Sequence, residues 1–467
     1  MESNLLERLR QGLPISTREQ LLLTIQLSWP AIIAQLATIA MQYIDAAMVG
    51  RLGSAQSASI GLVASTTWVF TELCIAMTTG FNVMVAQHIG AGKNSEARNT
   101  MKLGLLVCGV FGTLAMTGAL SICRELPRWL QADPSIWQDA SNYFLFYALS
   151  IPFLLLSSFA GSQLRASGNM RLPSVLMMCM CLLDVVFNAL LIFPDGAFCI
   201  GSLPIPGFDL GVRGAAIGTG LSQLTVASVL LFQLLFRSPS LRLHRGEKFQ
   251  FSFFQLKKSL RISLPVMAES VVMTSARVVT TAVVAPLGTV AVVANSFGIT
   301  VESLCYMPAY GMQHAASTLV GQSVGARRKD LVYRFGWLTT LTGMCLLCLS
   351  GTIMYVCAPW MMEFLTQDPA VIHLGTEVLR IEAFAEPLYA AIIVCSGVFQ
   401  GAGSTLAATV LNFVTMWGVR VPLSVILAPC FGLHGVWMAM ALQLGLCGLM
   451  YLLRLWRKQW MPREVRL

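Results

Sequence analysis

The sequence predicts an all-α integral membrane protein with twelve transmembrane helices in two pseudo-symmetric six-helix bundles. Three observations carry that expectation. The 467 residues are 56% hydrophobic and only 11% charged, with a mean hydropathy of +0.69, a composition that excludes a soluble globular chain. The apolar residues come in runs of roughly 20 to 25, the length needed to cross about 30 Å of hydrocarbon as a helix. The two halves of the chain also repeat one another at a fixed offset.

In order, the runs predict spans at 24–48, 58–82, 101–122, 140–163, 172–194, 213–236, 260–284, 290–315, 335–357, 375–399, 405–429 and 434–455. The charged segment before the first run, with Glu2, Glu7, Arg8, Arg10, Arg18 and Glu19, is followed by an apolar stretch too long for a signal-peptide core, so an uncleaved first span is expected.

Gly and Pro positions recur 235 residues apart. Pro30 matches Pro265, Gly53 matches Gly288, Gln87 matches Gln322 and Gly90 matches Gly325. Asp133-Pro134 matches Asp368-Pro369, Pro152 matches Pro387 and Gly168 matches Gly403 without a gap. Beyond that the pairs are Gly211 with Gly432 and Gly214 with Gly435, so the first half carries extra residues between Phe193 and Gly211. Matching kinks and turns imply one six-helix unit used twice in the same orientation. The domains expected are a first bundle over 1–236, a basic cytoplasmic linker over 237–261 and a second bundle over 262–467.

The formal net charge of +9 follows from topology rather than from a polyanionic partner. With both termini in the cytoplasm, 24 Lys and Arg fall on inside segments and only Arg51, Arg124, Arg128 and Arg213 on outside ones, an asymmetry that orients the chain in a cytoplasmic membrane. No nucleic-acid partner is expected. Thirteen cysteines and five histidines are scattered singly without ligand spacing, so the cysteines read as small buried hydrophobes and no metal signature emerges. The glycines at 90–92 and 401–403 lack the strand and the Lys-Ser/Thr ending of a phosphate loop, so no nucleotide is expected and transport must run on a gradient.

Several segments resemble the multidrug and toxic compound extrusion (MATE) family: Pro30 followed by Asp45 in MQYIDAAMVGRLG, VAQHIGAG at 85–92 with its partner AASTLVGQSVGA at 315–326, LRASGN at 164–169 and FQGAGST at 399–405. The resemblance covers almost the whole chain. It implies an efflux antiporter exporting amphipathic, often cationic compounds in exchange for sodium ions or protons, with no cofactor and no enzyme activity.

An ionisable side chain inside a span costs at least about 2.5–3.5 kcal/mol, so each one needs a partner, a water-filled cavity or a function. The first half places Asp45, Glu72 and Asp184 inside its spans with no Lys or Arg clearly among them. Asp184 and Asn188 are four residues apart, hence on one helix face, and span polarity brings Asp45 and Asn188 to the same depth. Asp45, Asp184 and Asn188 are therefore the expected site for a proton or a sodium ion. In the family, an acid in the first span and an Asn/Asp pair in the fifth contribute to such a site; here the pair is in reverse order. A polar contact between helices is the alternative role for each.

The second half has Glu269, Glu302, Glu382 and Glu386 together with Arg277, Arg380 and Arg420, so internal pairing is expected there. Glu72, Glu269, Glu302 and Glu386 are candidate cleft acids that meet cationic substrate or are neutralised locally. Pro30 removes a backbone hydrogen bond and permits a helix bend, static or moving. Three other readings remain open: a flippase for a lipid-linked precursor, which wants a cationic cleft, a passive channel, and a membrane-embedded enzyme, for which no converging nucleophile, base or metal-ligand set is present.

Overall fold

The computed structural model describes residues 2–194, 199–200, 203–204, 207–244, 246–247 and 249–462. Arg245 and Lys248 of the linker, Arg463 and Arg466 of the tail and parts of the Phe193–Gly211 insertion lie outside them. Among the described residues the helices are α1 (Glu2–Arg10), α2 (Thr17–Gly50), α3 (Ser54–Gly90), α4 (Asn94–Ile122), α5 (Leu126–Trp129), α6 (Trp137–Ala166), α7 (Arg171–Ile192) and α8 (Gly211–Phe232). They continue with α9 (Phe253–Val284), α10 (Thr289–Gly325), α11 (Lys329–Leu365), α12 (Pro369–Ala383), α13 (Glu386–Gly401), α14 (Leu406–Thr415), α15 (Val421–Phe431) and α16 (Leu433–Trp456). The insertion holds a two-residue antiparallel ladder, β1 (Cys199–Ile200) with β2 (Leu203–Pro204). An isolated antiparallel bridge joins Pro194 to Phe208, and the remaining regular structure among the described residues is helical.

Eleven helices among the described residues are long and apolar enough to cross a membrane, one fewer than the twelve spans expected. The difference lies in the tenth. The run 375–399 is not one helix but two, because α12 stops at Ala383 and α13 restarts at Glu386 with Pro387 in its first turn. Pro387 has no N–H to give the Ala383 carbonyl, which removes one rung of the ladder at the break, although Pro30 and Pro152 remove a rung in the same way without interrupting α2 or α6. The eleventh span is also irregular: α14 and α15 are joined by a π-helical turn, Met416–Arg420.

The internal repeat is visible in the element boundaries. α3 and α10 begin and end at residues that differ by the same 235 positions, as do the starts of α4 and α11, the starts of α7 and α14, and the ends of α6 and α13. Asp133 caps a helical turn by accepting from the Ser135 N–H, and Asp368 caps α12 by accepting from the Ala370 N–H. Gly168 and Gly403 adopt positive φ, 92° and 76°, where a side chain would be strained.

The chain forms two compact units. The first comprises the residues up to Leu36, Ala86–Lys93 and Arg261–Leu467; the second comprises Ala37–Val85 and Asn94–Leu260. Within the first unit the ends of α3 and α10 cross without side chains between them. A Cβ on Gly90 would stand 2.1 Å from the Gln322 carbonyl oxygen, and one on Gly325 would stand 1.9 Å from the Gln87 carbonyl oxygen. The contact is reciprocal, as the repeat requires, and it holds residues 86–93 against the second half of the sequence.

In the second unit, the linker is docked rather than free. Arg98, in the first turn of α4, donates through Nε to both Glu247 oxygens, at 3.0 and 2.8 Å, and Asn99 exchanges two hydrogen bonds with Gln250, at 2.8 and 3.0 Å. The Arg98 hydrogen bonds hold the Glu247 carboxyl below the ordinary carboxylate range. The cysteines among the described residues are unpaired; Cys74, Cys108 and Cys395 are buried as expected, but Cys179, Cys345, Cys348 and Cys430 are exposed in the protein alone.

Candidate functional site

The second unit brings Asp45, Asp184 and Asn188 together. α7 presents Asp184 and Asn188 one turn apart, and Asn188 Nδ2 donates to Asp184 Oδ2 at 3.1 Å. The same Nδ2 donates to Asp45 Oδ1 of α2 at 3.0 Å. A primary amide has two N–H donors, so one side chain serves both carboxylates. Ser222 of α8 donates to Asp184 Oδ1 at 3.2 Å, and Thr219 stands beside it. Asp184 and Asn188 are buried and Asp45 is half-buried.

α8 reaches this close to α7 because its first turns carry Gly214 and Gly218. A Cβ on Gly214 would lie 2.4 Å from the Leu191 carbonyl oxygen, and one on Gly218 would lie 2.2 Å from Asn188 Oδ1. Small residues four apart let helix backbones touch. Asn188 Oδ1 is buried and accepts no hydrogen bond, which leaves an unused acceptor beside two carboxylates. One turn further along each helix, Met48 and Val49 of α2, Ile192 of α7 and Ala215 of α8 form an apolar cluster with Phe193 and, at its edge, Tyr143 of α6. The site is thus closed toward the Gly50 end of α2 by hydrocarbon. Tyr143 is within electrostatic reach of both aspartates.

The remaining candidates do not join this group. Glu72 is half-buried in the middle of α3. Pro30 lies inside α2, which stays helical through it, and the Gln26 carbonyl one turn earlier loses its partner. Glu269 is held by α14: Asn412 Nδ2 donates to its Oε1 in a short hydrogen bond, and Thr409 Oγ1 donates to Oε2 at 3.3 Å. The expected pairing of Glu269, Glu302, Glu382 and Glu386 with Arg277, Arg380 and Arg420 is not formed, since none of these residues closes an ion pair with another. Arg380 turns away to lie over the Tyr355 ring, 5.3 Å from its centroid, Arg420 Nη2 points at Met440 Sδ at 2.7 Å, and Arg277 is exposed.

Sequence reasoning missed Ser222, Thr219 and Gly218. The signal was present as GAAIGTGLS at 214–222, small residues at helical spacing followed by two hydroxyls. What the residue types alone could not supply was that this face turns toward Asp184.

The fold and site define a polytopic helical membrane protein with a buried dicarboxylate group near its first and fifth spans. A family model described as MatE matches residues 30–190 and again 265–426, stretches that begin at Pro30 and Pro265 as the repeat does. The chain belongs to the MatE family of membrane transporters. It is 26% identical over 423 residues to a protein named "Probable multidrug resistance protein NorM" from Thermotoga maritima, covering 89% of this chain and 88% of that one. A protein of the same name from Streptococcus pneumoniae is 22% identical over 94% of this chain and 95% of its own. Among solved structures, the Vibrio cholerae MATE transporter VcmN in the bent form superposes with a TM-score of 0.85 at 20% identity, over 96% of this chain and 99% of that one. A MATE protein in the straight conformation gives 0.87 at 19% identity, over 97% of both chains.

Proposed function

We propose that this chain is a secondary active efflux antiporter that exports amphipathic or cationic small molecules in exchange for protons or sodium ions, with Asp45, Asp184 and Asn188 as the coupling site. The observation that carries the reading is the amide of Asn188 shared between two carboxylates from different helices, Asp45 and Asp184. Two negative charges this close, in a pocket of low polarity, require a proton or a cation to offset them. Either one supplies what the Asn188 amide leaves undone. Asn188 Oδ1 and Ser222 Oγ add neutral oxygens suited to a hard cation, and the same groups hydrogen-bond a protonated carboxyl equally well.

The names of the relatives support small toxic compounds as the cargo. Alternating access follows from binding energy: an ion that binds one arrangement of α2 and α7 better than another shifts the population toward it. Because Asp45 and Asp184 sit on different helices, their separation is the quantity that binding controls. Pro30, fifteen residues before Asp45, is where α2 gives way most readily, in keeping with relatives solved in bent and straight forms. One charge falling through 100 mV releases about 2.3 kcal/mol, roughly a fifty-fold gradient of an uncharged substrate.

The asymmetry of basic residues supports an orientation with both termini in the cytoplasm, and the bacterial sources of the relatives support a bacterial membrane. The test is efflux of a fluorescent organic cation from cells expressing Asp45→Asn or Asp184→Asn: both variants should reach the membrane and fail to extrude, and wild-type efflux in both would refute the assignment.

A further inference from the structure

The segment that joins the two halves carries a surface for which neither helix packing nor the coupling site has a use. Its described residues up to Leu260 belong to the second unit, where contacts with α4 and α8 fix their depth. The chain leaves α8 and folds back, so that the Leu243 N–H donates to the Leu235 carbonyl at 2.8 Å. Lys102 Nζ of α4 donates to the Glu247 carbonyl at 3.3 Å. Asn99 of α4 grips the chain twice, through both backbone groups of Gln250 and, at 3.3 Å, through Gln255 Oε1. The apolar runs meet the polar segments at residue 101 of α4, 236 beyond α8 and 260 of α9. Leu243, Glu247, Gln250 and Gln255 thus rest on residues at or beside those edges. The segment runs along the membrane surface rather than away from it.

Along it, polar groups are spent on the protein and phenylalanines are not. Phe249, Phe251, Phe253 and Phe254 are 43, 57, 69 and 75% exposed, although the backbone between them is pinned by Asn99 and by Ser252, whose Oγ accepts from the Gln255 N–H at 3.3 Å. At about 100° per residue, the first turns of α9 keep the same division. Gln255 turns to Asn99 and Ser259 Oγ donates to Met84 Sδ of α3 at 2.9 Å, whereas Phe253, Phe254, Lys257 and Lys258 share the exposed side. Arg242 is exposed nearby. Arg98 and Lys102 already neutralise Glu247, and among the described residues no acid pairs with Arg242, Lys257 or Lys258. Rings held outward beside unpaired cations match a partner that is apolar and negative together. At this depth that partner is the headgroup region of a bilayer containing anionic phospholipid.

We propose that Phe249, Phe251, Phe253 and Phe254, with Arg242, Lys257 and Lys258, form a docking surface for anionic phospholipid in the leaflet on the linker's side. The rings enter the boundary between headgroups and acyl chains, and the cations take the phosphates. The clasp of Arg98 on Glu247 and of Asn99 on Gln250 presents this surface already formed, so lipid binds without first ordering the chain. The proposal concerns lipid rather than cargo and does not depend on the coupling site. Each cation at such a surface is worth about fivefold in binding, so the three together dominate the preference for a charged headgroup.

The test is native mass spectrometry of the full-length protein released from neutral detergent, titrated with phosphatidylglycerol or phosphatidylcholine and read as lipid retained per protein. The wild type should retain phosphatidylglycerol in preference. Arg242→Gln/Lys257→Gln/Lys258→Gln should weaken that retention by at least about tenfold. Phe251→Ser/Phe254→Ser should weaken it as well, and glycerol phosphate, a headgroup without acyl chains, should not compete. Arg213→Gln, an exposed arginine at the other end of α8, should change nothing. Wild-type retention in either linker variant, equal loss in Arg213→Gln, or displacement by glycerol phosphate overturns the proposal. So does a phenylalanine variant that loses self-association while keeping its lipid, which would assign the surface to a second copy of the chain. Should a multiple variant not fold, Lys258→Gln and Phe251→Ser decide alone. No transport is measured, so failure here leaves the coupling assignment untouched.

Discussion

Asn188 stands between Asp45 and Asp184, its Nδ2 3.0 Å from one carboxylate oxygen and 3.1 Å from the other, so a neutral amide on α7 links an acid on its own helix to an acid on α2. Moving α2 by one hydrogen-bond length breaks half of that link. The site is therefore sensitive to helix position, which is what coupling demands.

Gly218 keeps Asn188 in place. A side chain there would lie 2.2 Å from Asn188 Oδ1, so Gly218→Val should displace the amide and cost about 1–3 kcal/mol in overpacking. Efflux should fall to background while Gly109→Ala, whose Cβ would meet nothing within 4 Å, stays at the wild-type level. Efflux assays on membranes matched for protein amount check both.

Ser222 adds one hydrogen bond to Asp184, worth about 1 kcal/mol. Ser222→Ala should shift the coupling-ion concentration for half-maximal efflux by roughly two- to tenfold and leave the maximal rate nearly unchanged, measured by titrating the ion in proteoliposomes.

The crossing of α3 and α10 has no room for a methyl group on either side. Gly90→Ala and Gly325→Ala should each lower the thermal stability of the purified protein, and by similar amounts because the contact is reciprocal. Thermal unfolding followed by monodispersity measures this; one variant near wild type and the other collapsed would contradict the symmetry.

The linker clasp is an acid effect. Arg98 holds the Glu247 carboxyl below its ordinary range, so the clasp contributes stability above the unfolded value of about 4.3 and loses it as pH falls through the lower folded value. Linker cleavage by an acid-tolerant protease should stay slow at pH 5 and rise only as the pH falls below the ordinary carboxylate range. Glu247→Gln should make it fast at both.

Much of this was legible in the residues. Apolar run length located the helices, and recurring Gly and Pro located the repeat, because both express backbone constraints that tertiary context rarely overrides. The convergence of Asp45, Asp184 and Asn188 was also legible, since depth in the membrane restricts which polar groups can meet. The break at Ala383–Glu386 was not: Pro152 and Pro387 look equivalent, and only the flanking glutamates distinguish them. Nor was the fate of Arg380, where a ring at Tyr355 competed with the acids, or the grip of Arg98 on a segment that reads as a basic linker between the bundles.

The most direct measurement of the central claim is accumulation of a fluorescent organic cation in vesicles containing the wild type and Asp45→Asn, with sodium and proton gradients collapsed separately. Extrusion that depends on one gradient and disappears in Asp45→Asn is the predicted result. Extrusion by Asp45→Asn at the wild-type rate, or wild-type extrusion indifferent to both gradients, would contradict it.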